Sequence, residues 1–363
     1  MDIDARVEAW ASLQLIPGLS SRALVALLKA FGGPAEVLAA SRASLKPLVG
    51  AELASAIAQG AAPDELSRSL AWLAEPGHAL LAWDDAAYPS ALLTIGDPPP
   101  VLHYAGKLEL LNRPSLAIVG SRNATPQGRE NAQAFAAALS AAGLTIVSGL
   151  AQGIDAAAHR GGLAGAGNSV AVVGTGIDRI YPAANKALAH RLAEEGGLLS
   201  QFTLGTPPLP GNFPRRNRVI SGLVRGVLVV EATPNSGSLI TARFAAEQGR
   251  EVFAIPGSIH SPFSKGCHRL IKEGAKLVET AQDVLEELGL APAGASPTLK
   301  GSAPAADGDA ARVLAALGHD PVDVDQLAER TGLDASAIAV ALVELELAGQ
   351  VAPLPGGAFQ RVM

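Results

Sequence analysis

From residue 115 the chain repeats one pattern. Short apolar runs at 116–119, 145–147, 170–173, 198–200, 227–230 and 252–255 alternate with glycine-bearing turns and with stretches of helical apolar spacing such as 128–142 and 238–249. A strand that is apolar at every position is buried on both faces, and strands separated by helices run parallel. The pattern predicts a doubly wound α/β domain. Ligands of such sheets bind beyond the carboxyl ends of the strands, which places Gly120, Gly149, Gly174, Glu231 and Gly257 on one rim.

The flanks read differently. Residues 1–83 carry helical periodicity broken by IPGLS, FGGP and LVGAE, so helix, glycine turn, helix units are expected, of the SAM or helix-hairpin-helix kind. Only Arg22, Lys29 and Lys46 lie near those turns, which suits an accessory or scaffolding unit better than a strong DNA binder. The core unit is read as 84–289. Its first part, 84–114, holds a proline run at 98–100 and an apolar stretch at 101–104 and is expected to be an extended connector with one edge strand. Residues 290–308 are Ala, Pro, Gly and Ser with one lysine, the composition of a flexible linker. Beyond it, 309–317, 325–331 and 335–348 read as three helices, with 331–334 as a turn and VAPLPGGAFQRV as a hairpin wing, so 309–363 is a winged-helix pattern.

Composition narrows the function. Among 363 residues the apolar share is 48%, ample for a sizeable core, and aromatics at 4% leave the packing to small side chains. Cys267 is the single cysteine, which excludes an intrachain disulfide and fits a reducing cytoplasm. MDIDARVEAW has neither a basic nor an apolar leader segment, and no run of about eighteen apolar residues occurs, so a soluble, unexported chain with no membrane partner is expected. The net charge of −6 argues against coating duplex DNA over the whole surface. From 301 to 363, however, nine acids face three arginines, so the tail alone accounts for the imbalance.

The positive charge concentrates in FPRRNRVISGL, 213–223. Arg215, Arg216 and Arg218 stand beside Phe213 and Asn217, just ahead of a buried strand. Arginine donates bidentately to phosphate oxygens and stays charged. GSR at Gly120, Ser121 and Arg122 lets the backbone approach an anion; Ser148 and Gly149 open a second turn; Ser236, Gly237 and Ser238 open a helix carrying Thr241, whose first amides are unpaired. Together they predict a phosphate-lined rim, with Phe213 placed to stack on a base. A solvated loop of ordinary surface arginines is the plainer reading of the basic segment, and core packing that of Phe213. Asp155 and His159 sit one helical turn apart, the spacing of an orienter and a base, but capping and packing are the commoner uses of such a pair. No catalytic residue is assigned. GTGIDRIYP has Arg179 where a dinucleotide fingerprint needs its last glycine, no phosphate-loop lysine motif occurs, and the seven histidines lack metal spacing, so neither cofactor nor metal is expected.

IVGSRNATPQG, SGLAQGIDAAAH, the 170–182 segment, FPRRNRVISGL, VLVVEA, SGSLITARFAAEQGREVFAIPG and LIKEGA follow one another in the order and spacing of the DNA-processing protein A family, also called Smf. The resemblance spans roughly 104–278. It implies an extended Rossmann-like core, a mostly parallel sheet that binds single-stranded DNA, homodimerises, protects incoming DNA and helps load the RecA recombinase during natural transformation and recombination. It also implies that Arg122 and the FPRRNR arginines carry the DNA contacts. The chain departs from the family pattern at Gln201, where a glutamate is usual, at Cys267 and His268, where threonine and asparagine are usual, and at Gln127, where tyrosine is common. None removes a positive charge.

A Rossmann-like nucleotide phosphoribohydrolase is the rival class, since it holds a phosphate in a similar rim, but its P-G-G-x-G-T-x-x-E signature is missing here. The winged helix is expected to meet protein rather than DNA, because DASAIAVALVELELAG offers Asp334, Glu344 and Glu346 and no lysine or arginine.

Overall fold

The computed structural model describes residues 4–290, 308–318, 321–354 and 356–362. The linker expected at 290–308 lies almost wholly outside them, as do Asp307 and Asp320 of the acidic tail.

Five helices open the chain: α1 (Ala5–Gln14), α2 (Ser21–Phe31), α3 (Pro34–Ala39), α4 (Arg42–Gln59) and α5 (Pro63–Leu73). The Asp4 carboxylate and the Ser20 and Ser41 hydroxyls each accept a first-turn amide of the helix that follows, which sets the starts of α1, α2 and α4. The sheet and its helices come next: β1 (His78–Ala82), β2 (Val101–Gly106), β3 (Ser115–Val119), α6 (Pro126–Ala141), β4 (Thr145–Ser148), α7 (Ile154–Leu163), β5 (Ser169–Val172), α8 (Lys186–Glu195), β6 (Gly197–Ser200), α9 (Asn212–Leu223), β7 (Gly226–Val229), α10 (Ser238–Glu247), β8 (Glu251–Ala254), α11 (Lys265–Lys272), β9 (Lys276–Leu277) and α12 (Ala281–Glu287).

The nine strands run in the order β1-β2-β6-β5-β4-β3-β7-β8-β9. From β6 to β9 all are parallel, while β2 pairs antiparallel with both β1 and β6. The continuous apolar runs follow from burial on both faces: along β3, Leu116 and Ile118 enter one core and Ala117 and Val119 the other, and along β7 Leu228 parts in the same way from Val227 and Val229. Small residues let the outer layer close tightly. A β-carbon on Gly161 of α7 would collide with the Gln133 carbonyl of α6.

One boundary differs from the reading of the sequence. His78–Ala82, grouped there with the helical unit, is the outermost strand, and the expected connector returns as β2 beside it. The N-terminal helices explain the placement, since Trp10, Leu13, Leu27, Leu45 and Ile57 pack on Leu80, Ala82 and Val101, covering one face of the outer strands.

The C-terminal unit holds α13 (Gly308–Leu317), β10 (Val322–Asp323), α14 (Val324–Thr331), α15 (Ala335–Leu347), β11 (Val351–Pro353) and β12 (Ala358–Arg361), with strand order β10-β12-β11. This is the expected winged helix, with Val313, Leu327, Ile338, Leu342 and Leu345 in its core. It meets the sheet domain through β12, where the Gln360 amide donates to Gln127 Oε1 at 3.0 Å. Among the described residues no helix is long and apolar enough to cross a membrane.

Candidate functional site

The chain order of the parallel strands reverses between β3 and β7: β4, β5 and β6 extend one way and β8 and β9 the other. At such a switch point the connections leave in opposite directions and open a crevice beyond the carboxyl ends. GSR after β3 and Glu231 after β7 line it. The Ser121 amide donates to Glu231 O at 2.8 Å. The Glu231 carboxylate accepts from the Thr125 amide at 3.0 Å and hydroxyl at 2.6 Å, and Thr125 caps α6. An acid that would repel an anion is thereby turned toward the start of a helix. Arg122 is exposed and has no carboxylate partner among the described residues.

The second turn, SGLAQG, is braced from beneath. Ser148 Oγ donates into the sheet, to Ile118 O at 2.7 Å, and the Gly149 and Ala151 amides both donate to Asp155 Oδ2 at 3.1 and 3.3 Å. Asn185 Nδ2 donates to Leu150 O and Ala151 O, and Leu150 takes a left-handed φ of 58°. The Ser148 hydroxyl and the Gly149 amide, expected to face a ligand, are therefore committed to the fold.

Asp155 and His159 share that work and form no acid–base pair aimed outward. His159 Nε2 accepts from the Leu150 amide, so Nδ1 carries the proton and donates to Ser169 Oγ at 2.8 Å, whose own hydroxyl donates to Ile146 O. Burial, with Arg216 and Arg160 nearby, lowers the His159 pKa to about 3 and keeps the ring neutral. Burial raises the Asp155 pKa, and Arg216 opposes the shift.

FPRRNR is the first half of helix α9, with Pro214 in its first turn. At 3.6 residues per turn Arg216 is turned about 100° from Arg215, whereas Arg215 and Arg218, three apart, lie on neighbouring sides of the helix. Arg216 points inward and is 4% exposed; its Nη1 donates to Gly149 O and Val172 O, each at 2.5 Å. Burial brings its pKa down to about 10 against the pull of Asp155. Arg218 lies sideways and half-buried, donating to Asp97 O and to Gln201 Oε1, the latter at 2.9 Å. Arg215 is the outward one, with its guanidinium 5.4 Å from the centre of the Phe202 ring.

Phe213 sits over Gly174, where a β-carbon would come within 2.9 Å of its ring. Its centroid is 5.6 Å from the Arg122 guanidinium and 5.7 Å from the Tyr181 ring. Tyr181 is 45% exposed and was missed in the sequence, although DRIYP places it in the loop that leaves the strand at Gly174. Across the crevice Asn217 Nδ2 donates to Gly237 O at 3.4 Å, and Ser236 and Ser238 share a 2.7 Å hydroxyl bond at the start of α10. Ser238 and Thr241 are buried, so on that side the turn itself, Ser236 and Gly237, remains accessible. The structure thus gathers Arg122, Phe213 and Tyr181 into one cationic and aromatic cluster, leaves Arg215 exposed on α9 beside Phe202, and buries Arg216, Ser148 and Thr241.

The departures from the family pattern have plain placements. Gln201 accepts from Arg218, Gln127 meets the winged helix, and His268 Nε2 lies 2.9 Å from Gly257 O. Cys267 is buried, its thiol pushed up to about 12 by desolvation, which makes it unreactive. Among the described residues no group of His, Cys, Asp and Glu is arranged to hold a metal ion.

Residues 79–289 match the family model of DNA recombination-mediator protein A, and residues 297–357 that of the DprA winged helix domain. The chain is 46% identical to Protein Smf of Escherichia coli (strain K12) over 298 residues, 80% of each chain. Among solved structures, the X-ray structure of DNA processing protein A from Streptococcus pneumoniae superposes with a TM-score of 0.68 at 38% identity, over 79% of this chain and 99% of that one. The DNA processing protein A of Helicobacter pylori, whose structure describes a single-stranded DNA binding mode, superposes with a TM-score of 0.53 at 29% identity, over 58% of this chain and 95% of that one.

Proposed function

Because the chain belongs to the DNA recombination-mediator protein A family, we propose that it binds single-stranded DNA across the β3–β7 crevice and hands it to the RecA recombinase, protecting incoming strands in the cytoplasm as a homodimer formed through the Rossmann-like core. The observation that carries this reading is the grouping of Arg122 with Phe213 and Tyr181 at the crevice rim, with Arg215 exposed beside Phe202 on the same helix as Phe213. The guanidinium groups attract phosphates, and the aromatic faces take unpaired bases, which a duplex keeps stacked inside itself. The single-strand binding mode described for the Helicobacter pylori protein supports the same ligand class here.

The protein holds DNA and does not turn it over. Asp155 and His159, the pair closest to an acid–base arrangement, are hydrogen-bonded to the loop they support. Mobility shifts with single- and double-stranded oligonucleotides across a salt series, followed by a RecA filament-loading assay, test the reading. Single strands are expected to bind more tightly and loading to be faster with the protein present. Equal affinity for duplex, or base release from a nucleotide, would overturn it.

A further inference from the structure

The winged helix carries an apolar surface that its own core does not use. Helix α15 buries Ile338, Ala341, Leu342 and Leu345 inward, yet its outer side shows Val340 at 66%, Val343 at 56% and Leu347 at 85% exposure. The spacing of these three is i, i+3, i+7, a single stripe along the helix. Beside the stripe, α15 and α13 flank a shallow, open groove of about 380 Å³ lined by Ala310, Ala337 and Ala341, with Asp309, Asp334 and Glu344 around it. Glu346 follows on the exposed side of the helix. No basic residue stands on α15. Arg312 pairs with Asp309 at 3.3 Å and donates to Thr331 O, and Arg330 donates to Ala316 O, which leaves Asp334, Glu344 and Glu346 as the acids along α15.

We propose that this stripe and groove are a docking surface for a basic amphipathic helix of a partner protein. Contiguous exposed apolar side chains mark an interaction site, and a stripe at this spacing receives the apolar face of another helix. Charge decides among the occupants. A second copy of α15 would bring Glu344 and Glu346 against their own counterparts, and a nucleic acid would bring phosphates against the same acids. A helix with lysines or arginines flanking an apolar seam meets both features at once. The surface shares no residue with the crevice, so the two readings are tested on different side chains.

The test uses the full chain and a fluorescent synthetic helix with leucines on one face flanked by lysines, compared with the same peptide flanked by glutamates. Anisotropy is expected to show the lysine peptide binding roughly tenfold or more tightly. Val343→Asp with Leu347→Asp should abolish that binding while circular dichroism and single-strand affinity stay unchanged, since both side chains are exposed. Glu344→Lys with Glu346→Lys should reverse the preference between the two peptides. Equal binding of both peptides, or binding that survives the aspartate substitutions, would overturn the proposal. So would self-association, or duplex binding, that Leu347→Asp removes, because either would give the face to a different occupant.

Discussion

The Arg216 guanidinium reaches Gly149 O only because Gly149 has no side chain: a β-carbon there would collide with Nη1. One glycine thus admits a buried cation under the crevice rim, where it fixes the SGL turn and faces the buried Asp155. Arg216→Ala should then act on the fold. Removing one charge of a buried, mutually compensating set costs about 3–5 kcal/mol, so the urea midpoint is expected to fall sharply. Arg216→Met combined with Asp155→Asn should cost clearly less than the two single changes added together. Additive losses would mean that the two charges do not compensate each other.

The exposed arginines should behave otherwise. Each phosphate neutralised on a single strand contributes about 0.7 to the slope of log affinity against log salt, so Arg122→Ala and Arg215→Ala should each lower that slope by about this amount at unchanged stability. Titrations at several salt concentrations measure it. A slope unaltered in both variants would remove the crevice as the binding site.

The parallel sheet and its rim were legible because strands covered on both faces have no polar alternation, and 116–119 or 227–230 admit few other readings. The direction of the arginines was not. FPRRNR looks like a solvated segment, and its helical phase is set by packing of Val219, Ile220 and Leu223 in the core further along α9. Which arginine goes inward depends on a missing side chain at Gly149, far away in sequence. Similarly, HALLA at β1 is short and adjoins helical periodicity, and only its antiparallel pairing with β2, well further along the chain, shows that it is an edge strand.

The aromatic pair should separate stacking from charge. Phe213→Ala and Tyr181→Ala are each expected to weaken single-strand binding by about 1–3 kcal/mol per lost base contact while leaving the salt slope intact. Gly174→Ala should resemble Phe213→Ala, because its methyl group would occupy the seat of the ring. Full affinity in the Tyr181 variant would leave Phe213 as the only stacking residue of the pair.

Gln201 tunes the rim through Arg218. Its Oε1 accepts from the guanidinium, but its Nε2 is buried without a partner. Gln201→Glu would remove that orphaned donor and give Arg218, which already lies 3.5 Å from the Asp97 carboxylate, a second carboxylate partner, so stability should hold or rise. The added negative charge beside the crevice should weaken single-strand binding by on the order of 1 kcal/mol, about fivefold, at low salt. Unchanged affinity in anisotropy titrations would place the strand away from Arg218.

Stability should fall on mild acidification, and the sign follows from two buried rings. His159 and His103 are held neutral, with pKa values lowered from 6.5 to about 3 and about 4, burial being the larger cause in each. Below pH 6.5 the unfolded chain takes up protons at these positions while the folded chain does not. The stabilisation present above 6.5 is therefore lost as pH drops toward the folded values, at up to about 1.4 kcal/mol per pH unit for each ring. Asp155, whose pKa is raised by burial, opposes the trend as pH falls through its folded value. Urea unfolding at pH 7 and pH 5 should show the loss, and His159→Asn should remove about half of it. A variant with the same pH slope as the parent would mean that His159 is protonated in the folded state, and the hydrogen bond from the Leu150 amide to its Nε2 would have to be abandoned.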